Sequence, residues 1–281
     1  MSPGRTGYLF ALPVALFLLA GFATPIGIVA WYSLMEPRTF ALTAETTLTN
    51  YRAAFTEGYG PPFFWSITGA VATTLACALL AWPTAKMLHQ LAGRGAAVLT
   101  GLIAVPIFVS ESVRLFGMSL FLMPGGGILA GSLRALFDVN IGTVLNTKLG
   151  VFLGMVYVHF PFMLFPLLLG VALIPQDRRD AARDLGASRW QILREVELPL
   201  AMPGLIIGAL LTFVLCVGAN AEAAILGGQA ISVVTRAIEQ RFSYAQDWPM
   251  GAALTMLVVA VTALVVFPAL ARIDLNKLIR R

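Results

Sequence analysis

The sequence predicts an all-α membrane protein, a bundle of six membrane-spanning helices. Three observations predict it. Hydrophobic residues make up 58% of the 281 and charged residues only 12%, about half the charge of a typical soluble domain. So few charges cannot cover a soluble surface of this size, but they can cover the two faces of a membrane bundle. Mean hydropathy is +0.84. The apolar residues are also gathered into runs near the ~20 residues that cross a hydrocarbon core.

Six runs qualify: Leu9 to Leu34, Phe64 to Met87, Ala96 to Met123, Leu149 to Ile174, Met202 to Leu226 and Met250 to Leu270. The first has a basic start and small residues at Ala20 to Ala23, as a signal peptide has. It stays apolar to Trp31 and Tyr32, too long for a signal core, and reads as an uncleaved span. The third is interrupted by Pro106, Glu111 and Arg114. Pro161 and Pro166 are expected to kink the fourth.

Orientation follows from Lys and Arg. With the N-terminus inside, the inner segments hold Arg5, Lys86, Arg94, Arg178, Arg179, Arg183, Arg189, Arg194, Arg272, Lys277, Arg280 and Arg281, twelve in all. The outer segments hold six: Arg38, Arg52, Arg134, Lys148, Arg236 and Arg241. This bias puts both termini in the cytoplasm and accounts for the net charge of +5 without nucleic acid, for which no aromatic-interleaved basic patch is present. The chain divides into a first span with its outer loop (1–63), a five-span core (64–271) and a basic cytoplasmic tail (272–281).

Some chemistries find no support in the residues. Cys77 and Cys216 lie in apolar runs without a CxxC partner and read as packing residues. His89 and His159 share no metal-type spacing. Gly125-Gly126-Gly127 lacks the Lys of a phosphate loop, so ATP hydrolysis is not expected of this chain. A membrane enzyme would need paired carboxylates, a His cluster or a nucleophile at usable spacing, and none is seen.

The segment between the fourth and fifth runs, about 175–200, is the most informative. Asp177 to Asp184 opens after Pro175, with acidic residues suited to a helix N-terminus. Ala181 and Ala182 leave a small face. Gly186 sits where a helix end takes a left-handed residue, and Ser188 then caps a second short helix in which Trp190, Leu193 and Val196 share a face. Pro199 is expected to end the segment before the fifth span. The residues alone fit either an amphipathic interfacial helix or a docking elbow.

Asp180-Ala181-Ala182, then three residues, Gly186-Ala187-Ser188, and after roughly nine residues from Gly186 Val196-Glu197-Leu198-Pro199, resembles the EAA loop of binding-protein-dependent ABC importer permeases. Asp180 replaces the pattern's Glu and keeps its charge; Val196-Glu197-Leu198-Pro199 keeps its apolar-x-Leu-Pro ending. Pro106 to Arg114, Leu226-Gly227-Gly228 and Asp247-Trp248-Pro249-Met250-Gly251-Ala252-Ala253 are similar to stretches of the spermidine/putrescine type, in the order of its PotB-like subunit. The resemblance implies a six-span bundle of the type I ABC importer permease kind, with Asp180, Ala181, Ala182, Asp184, Gly186, Ala187, Ser188, Leu198 and Pro199 forming a coupling helix and its flanks. It implies a second permease subunit, two copies of a cytoplasmic ATPase that carries ATP and Mg, and a periplasmic solute-binding protein.

Candidate pathway residues are Glu111 and Arg114, which share a helix face in a span where ionisable groups are costly, with Tyr157 and Glu222. Glu222 is expected near the outer end of the fifth span. Each has a plain alternative: an ion pair that only packs helices, an aromatic wall of Tyr157, Phe160 and Phe162 that only packs, a carboxylate in interfacial water. Asp247 and Trp248 are candidate contacts for a binding protein or anchors of the last span. The implied cargo is a polyamine or similar small organic cation. Other solutes (amino-acid derivatives, phosphonates, sugar phosphates) and a non-transport assembly role stand as alternatives.

Overall fold

The structure, a computed structural model, describes residues 3–40, 45–91, 94–123, 127–137, 142–228 and 231–271. The expected tail 272–281, and Gly125 and Gly126, lie outside the described residues. In chain order the helices are α1 (Pro3–Ser33), α2 (Thr49–Thr56), α3 (Gly60–Gln90), α4 (Arg94–Ala104), α5 (Glu111–Leu122), α6 (Ile128–Phe137), α7 (Lys148–Ala172), α8 (Gln176–Asp184), α9 (Arg189–Gln191), α10 (Leu198–Val217), α11 (Ala221–Leu226), α12 (Val234–Ser243) and α13 (Trp248–Ala271). A 3-10 turn, Val105–Phe108, follows α4, and a π-helical stretch, Ile192–Glu197, joins α9 to α10.

Among the described residues five helices are long and apolar enough to cross a membrane: Phe10–Ser33 of α1, α3, α7, the continuous stretch Arg189–Val217, and α13. The third run is not straight. Gly95–Phe108 and Glu111–Leu122 meet at 104°. Pro106 cannot donate a helix hydrogen bond, and Val109 and Ser110 turn extended, with ψ of 135° and 137°. Helix α5 restarts at Glu111, where a carboxylate suits the dipole.

Two more expectations change. The fifth run ends as a helix at Val217, not Leu226; Gly218 to Asn220 break it and α11 starts afresh. Pro199 does not end the segment before that span. It lies in the first turn of α10, where its missing N–H is tolerated, and the helix runs on from Arg189. Helix α7 stays unbroken through Pro161 and Pro166.

The described chain forms two compact units, residues 1–61 with 236–261 and residues 62–235 with 262–281. The segment around Asp247 groups with the N-terminal residues. In the first unit Asp247 caps α13: it accepts from the Met250 N–H at 3.4 Å and from the Arg38 N–H at 3.1 Å, and it pairs with Arg241 at 3.5 Å. The Trp248 ring lies 6.0–6.3 Å from those of Phe40, Tyr32 and Phe242. Asn50, fully buried, donates to the carbonyls of Ser33 and Met35 and so satisfies the end of α1.

The second unit is built around α7. Met163, Leu164, Leu167 and Val171 pack against Cys77, Ala81, Ala85 and Leu88 of α3 and Ala201 of α10. The α3 residues recur every three or four positions, one face of a helix. Helices α7 and α10 touch through glycine: a Cβ on Gly204 would stand 2.9 Å from the Gly170 Cα, and one on Gly208 would stand 2.8 Å from the Met163 carbonyl oxygen. Small residues of this kind let membrane helices approach closely.

Candidate functional site

The segment between α7 and α10 is a bent elbow. Helix α8 ends in a left-handed glycine: Gly186 has φ of +77°. Its N–H bonds the Arg183 carbonyl at 2.9 Å, and the Ala187 N–H bonds the Ala182 carbonyl at 3.0 Å, the paired bonds of a Schellman end. Ser188 then opens the next helix with a capping box. Its hydroxyl accepts from the Gln191 N–H, and its own N–H donates to Gln191 Oε1 at 2.7 Å. Asp180 accepts from Gln176 and pairs with Arg183 at 2.9 Å. Ala181, Asp184 and Pro199 are exposed, and Ala182, Ala187 and Leu198 half-buried.

The elbow turns apolar side chains outward: Leu185 is 88% exposed and Trp190 67%. The spacing puts Trp190 on one face with Leu193 and Val196, but Trp190 is exposed while those two are half-buried. The π-helical turn that follows is wider than an α-helical one and shifts the phase, so Ile192 and Glu197 are the residues that go inside.

Glu197 was not singled out by sequence, nor were Lys86 and Arg179 beyond their charge. Lys86 Nζ of α3 lies 2.7 Å from Glu197 Oε2, and Arg179 Nε of α8 lies 3.2 Å from Oε1. Arg179 Nη1 also donates to Gln176 Oε1. The three line a cavity of about 740 Å³ with His89, Arg183 and Arg189. The one signal in the sequence is that Glu197 is an acid inside the apolar-x-Leu-Pro ending.

A second polar group lies deeper. Glu222 on α11 is fully buried, not in interfacial water. Helix α11 is held against α7 by the Asn146 N–H bonding the Leu226 carbonyl at 2.8 Å, and Leu226 seats on Gly154, where a Cβ would collide with it. This places Glu222 Oε1 3.6 Å from His159 Nδ1, and neither carboxylate oxygen has a hydrogen-bond partner among the described residues. Glu111 and Arg114 both act electrostatically on His159 and Glu222. Arg114 Nη1 donates to the Val158 carbonyl at 3.3 Å. Arg114 and Tyr157 line a cavity of about 400 Å³ with Gly117, Met118 and Phe121.

His159 is the member that sequence reading missed: a lone histidine with no spacing partner becomes visible only when α11 folds back. Phe160 packs against the apolar core, while the Phe162 ring is 6.4 Å from His159. The elbow and the polar group are not brought together; about 20 Å of α7 separates His159 from Ala172. Asp247 is occupied by Arg38, Met250 and Arg241, so of the two outer candidates only Trp248 keeps a partly exposed face. Among the described residues no group of three His, Cys, Asp or Glu is placed to hold a metal.

Comparison with known proteins gives three findings. The family model described as binding-protein-dependent transport system inner membrane component matches residues 95–274. The spermidine/putrescine transport system permease protein PotB of Haemophilus influenzae is 31% identical over 230 residues, 79% of this chain and 77% of that protein; PotB of Escherichia coli is 31% identical over 242 residues, 82% and 84%. The crystal structure of a bacterial ABC transporter involved in the import of the acidic polysaccharide alginate superposes with a TM-score of 0.69 at 14% identity, covering 94% of this chain and 93% of that one. The helical bundle is therefore that of an ABC importer's transmembrane subunit.

Proposed function

The chain belongs to the family of binding-protein-dependent transport system inner membrane components, and from that premise we propose that it imports polyamines or similar small organic cations, driven by a separate ATPase. It is a multi-pass inner-membrane protein and an ABC transporter permease. The elbow carries the proposal. It is a short helix closed by a left-handed glycine, followed at once by a capped helix, with Leu185 and Trp190 turned outward. Exposed large apolar groups on a fixed scaffold mark an interaction surface.

In this reading Asp180, Ala181, Ala182, Asp184, Gly186, Ala187 and Ser188 form the surface gripped by a cytoplasmic ATPase, with Leu198 and Pro199 at the root of α10. The ATPase, in two copies, carries ATP and Mg and does the hydrolysis; this chain is the translocating subunit. Both termini then face the cytoplasm, the orientation that the Lys and Arg bias favours. A second permease chain completes the path, and a periplasmic binding protein delivers the solute.

Closure of the ATPase pair displaces the elbow. Helices α7 and α10 flank it and are packed backbone to backbone at Gly170 and Gly204, so they move together. Helix α7 carries the displacement to His159 and Glu222. Glu222 and Glu111 supply negative charge for an ammonium group, Arg114 sets their geometry, and Tyr157 lines the cavity beside them. Ion binding in such a site is favourable because a buried carboxylate without a hydrogen-bond partner is costly.

The second reading is a different solute, and Arg114 favours it: a guanidinium lining the cavity suits an anionic ligand. Calorimetry on the cognate binding protein separates the two. Binding of spermidine or putrescine is expected; a preference for an anion, with no polyamine binding, removes the polyamine reading and leaves the permease.

A further inference from the structure

Glu197 joins three segments that are separate in sequence. Lys86 is near the C-terminal end of α3, Arg179 is on α8 of the elbow, and Glu197 is the last residue before α10. The ion-pair distances are 2.7 and 3.2 Å, and the side chains of Glu197 and Arg179 are 7% and 9% exposed. Of the neighbouring charges, Asp180 and Arg183 are paired with each other. Two cations therefore converge on one carboxylate, and removing it leaves a buried cation without compensation.

The wide π-helical turn is what aims Glu197 inward. Such turns are rare and cluster at functional positions. Stability alone does not explain the arrangement, since a buried ion group is a weak source of net stability and an apolar trio holds as well. What charges give, and apolar side chains do not, is a link with one geometry that does not slide. Apolar contacts between α3 and α10 permit one helix to slip along the other; a carboxylate shared by Lys86 and Arg179 does not.

We propose that Glu197 is a positioning residue for transport, a pin that makes α3 follow the elbow so that three helices, α3, α7 and α10, answer the ATPase as one body. The proposal rests on the coupling role assigned to the elbow above. It predicts that residues 86 and 197 stay together throughout the cycle.

The test uses the whole transporter, with both permease chains, ATPase and binding protein, in proteoliposomes. ATP hydrolysis is read with and without the binding protein, together with co-purification of the ATPase. In E197Q the ATPase is expected to co-purify as in wild type while stimulation by the binding protein falls about tenfold; K86M is expected to do the same from the other side of the pair. Joining Lys86→Cys to Glu197→Cys with a short bismaleimide is expected to preserve stimulation, and Cys77 and Cys216 are both buried. Wild-type stimulation in E197Q or K86M, or arrest on crosslinking, overturns the pin. If E197Q does not assemble, K86M and the crosslink carry the decision. A wild-type complex whose hydrolysis ignores the binding protein would instead overturn the function proposed above, so the two failures are distinct.

Discussion

His159 Nδ1 stands 3.6 Å from Glu222 Oε1, and no hydrogen bond closes the gap. The reason is local. Nδ1 lies 2.9 Å from the Met155 carbonyl oxygen one turn earlier, and a carbonyl only accepts, so the ring's Nδ1 proton is committed to it. Glu222 is left as a buried carboxylate short of donors.

That shortage sets opposite signs for stability and transport. In Glu222→Gln a buried carboxylate without a hydrogen-bond partner is replaced by a neutral group of the same shape, so the melting temperature of the assembled complex is expected to hold or rise. Spermidine uptake is expected to fall at least about tenfold, mainly through KM, because the ammonium loses its counter-charge. Uptake kinetics beside a thermal melt check both signs. A lowered melting temperature with unchanged uptake would assign Glu222 to structure alone.

Gly186 shows the elbow's dependence on backbone. Nothing lies within 4 Å of a Cβ built there, yet φ is +77°, so the penalty is conformational and not steric crowding. Gly186→Val is expected to cost about 1–2 kcal/mol locally and to release the ATPase from control, with membrane insertion intact. Gly186→Asn, which tolerates a left-handed backbone, is expected to retain most activity. Uptake against ATP hydrolysis for the two variants is the check.

Much of this elbow was legible in the sequence. Gly186 and Ser188 are stop and start signals that act through the backbone within a few residues, so position alone identifies them. The ionic pin was not legible, because Lys86 lies 111 residues from Glu197 and only the phase shift of a π-helical turn brings them face to face. The bend at Pro106 was visible as an interruption of the third run, but its angle depends on two extended residues, Val109 and Ser110, that no periodicity marks. Glu222 was misplaced for a related reason. Its run carries only Asn220 and Glu222 as strongly polar residues, and the break at Gly218 to Asn220 has no proline or charge run to announce it.

Ser188 contributes through two bonds to Gln191. Ser188→Ala is expected to lose about 0.5–2 kcal/mol of local stability. Faster proteolytic nicking near residues 186–191 of the free permease, suppressed when the ATPase is bound, is the readout.

Gly204 tests the rigidity of the α7–α10 pair. A side chain there meets the Gly170 backbone at 2.9 Å, and backbone cannot step aside. Gly204→Val is expected to cost about 1–3 kcal/mol and to lower both the yield and the melting temperature of the complex. Substitution at Gly101, where nothing lies within 4 Å, serves as the control and is expected to be neutral.

Crosslinking from Ala182→Cys to the ATPase subunit in native membranes probes the elbow most directly. A covalent permease–ATPase adduct is expected, formed from the cytoplasmic side and altered in yield by ATP. Absence of any adduct, or labelling of that thiol by an impermeant reagent added outside intact cells, would contradict the elbow's role as the ATPase's point of grip.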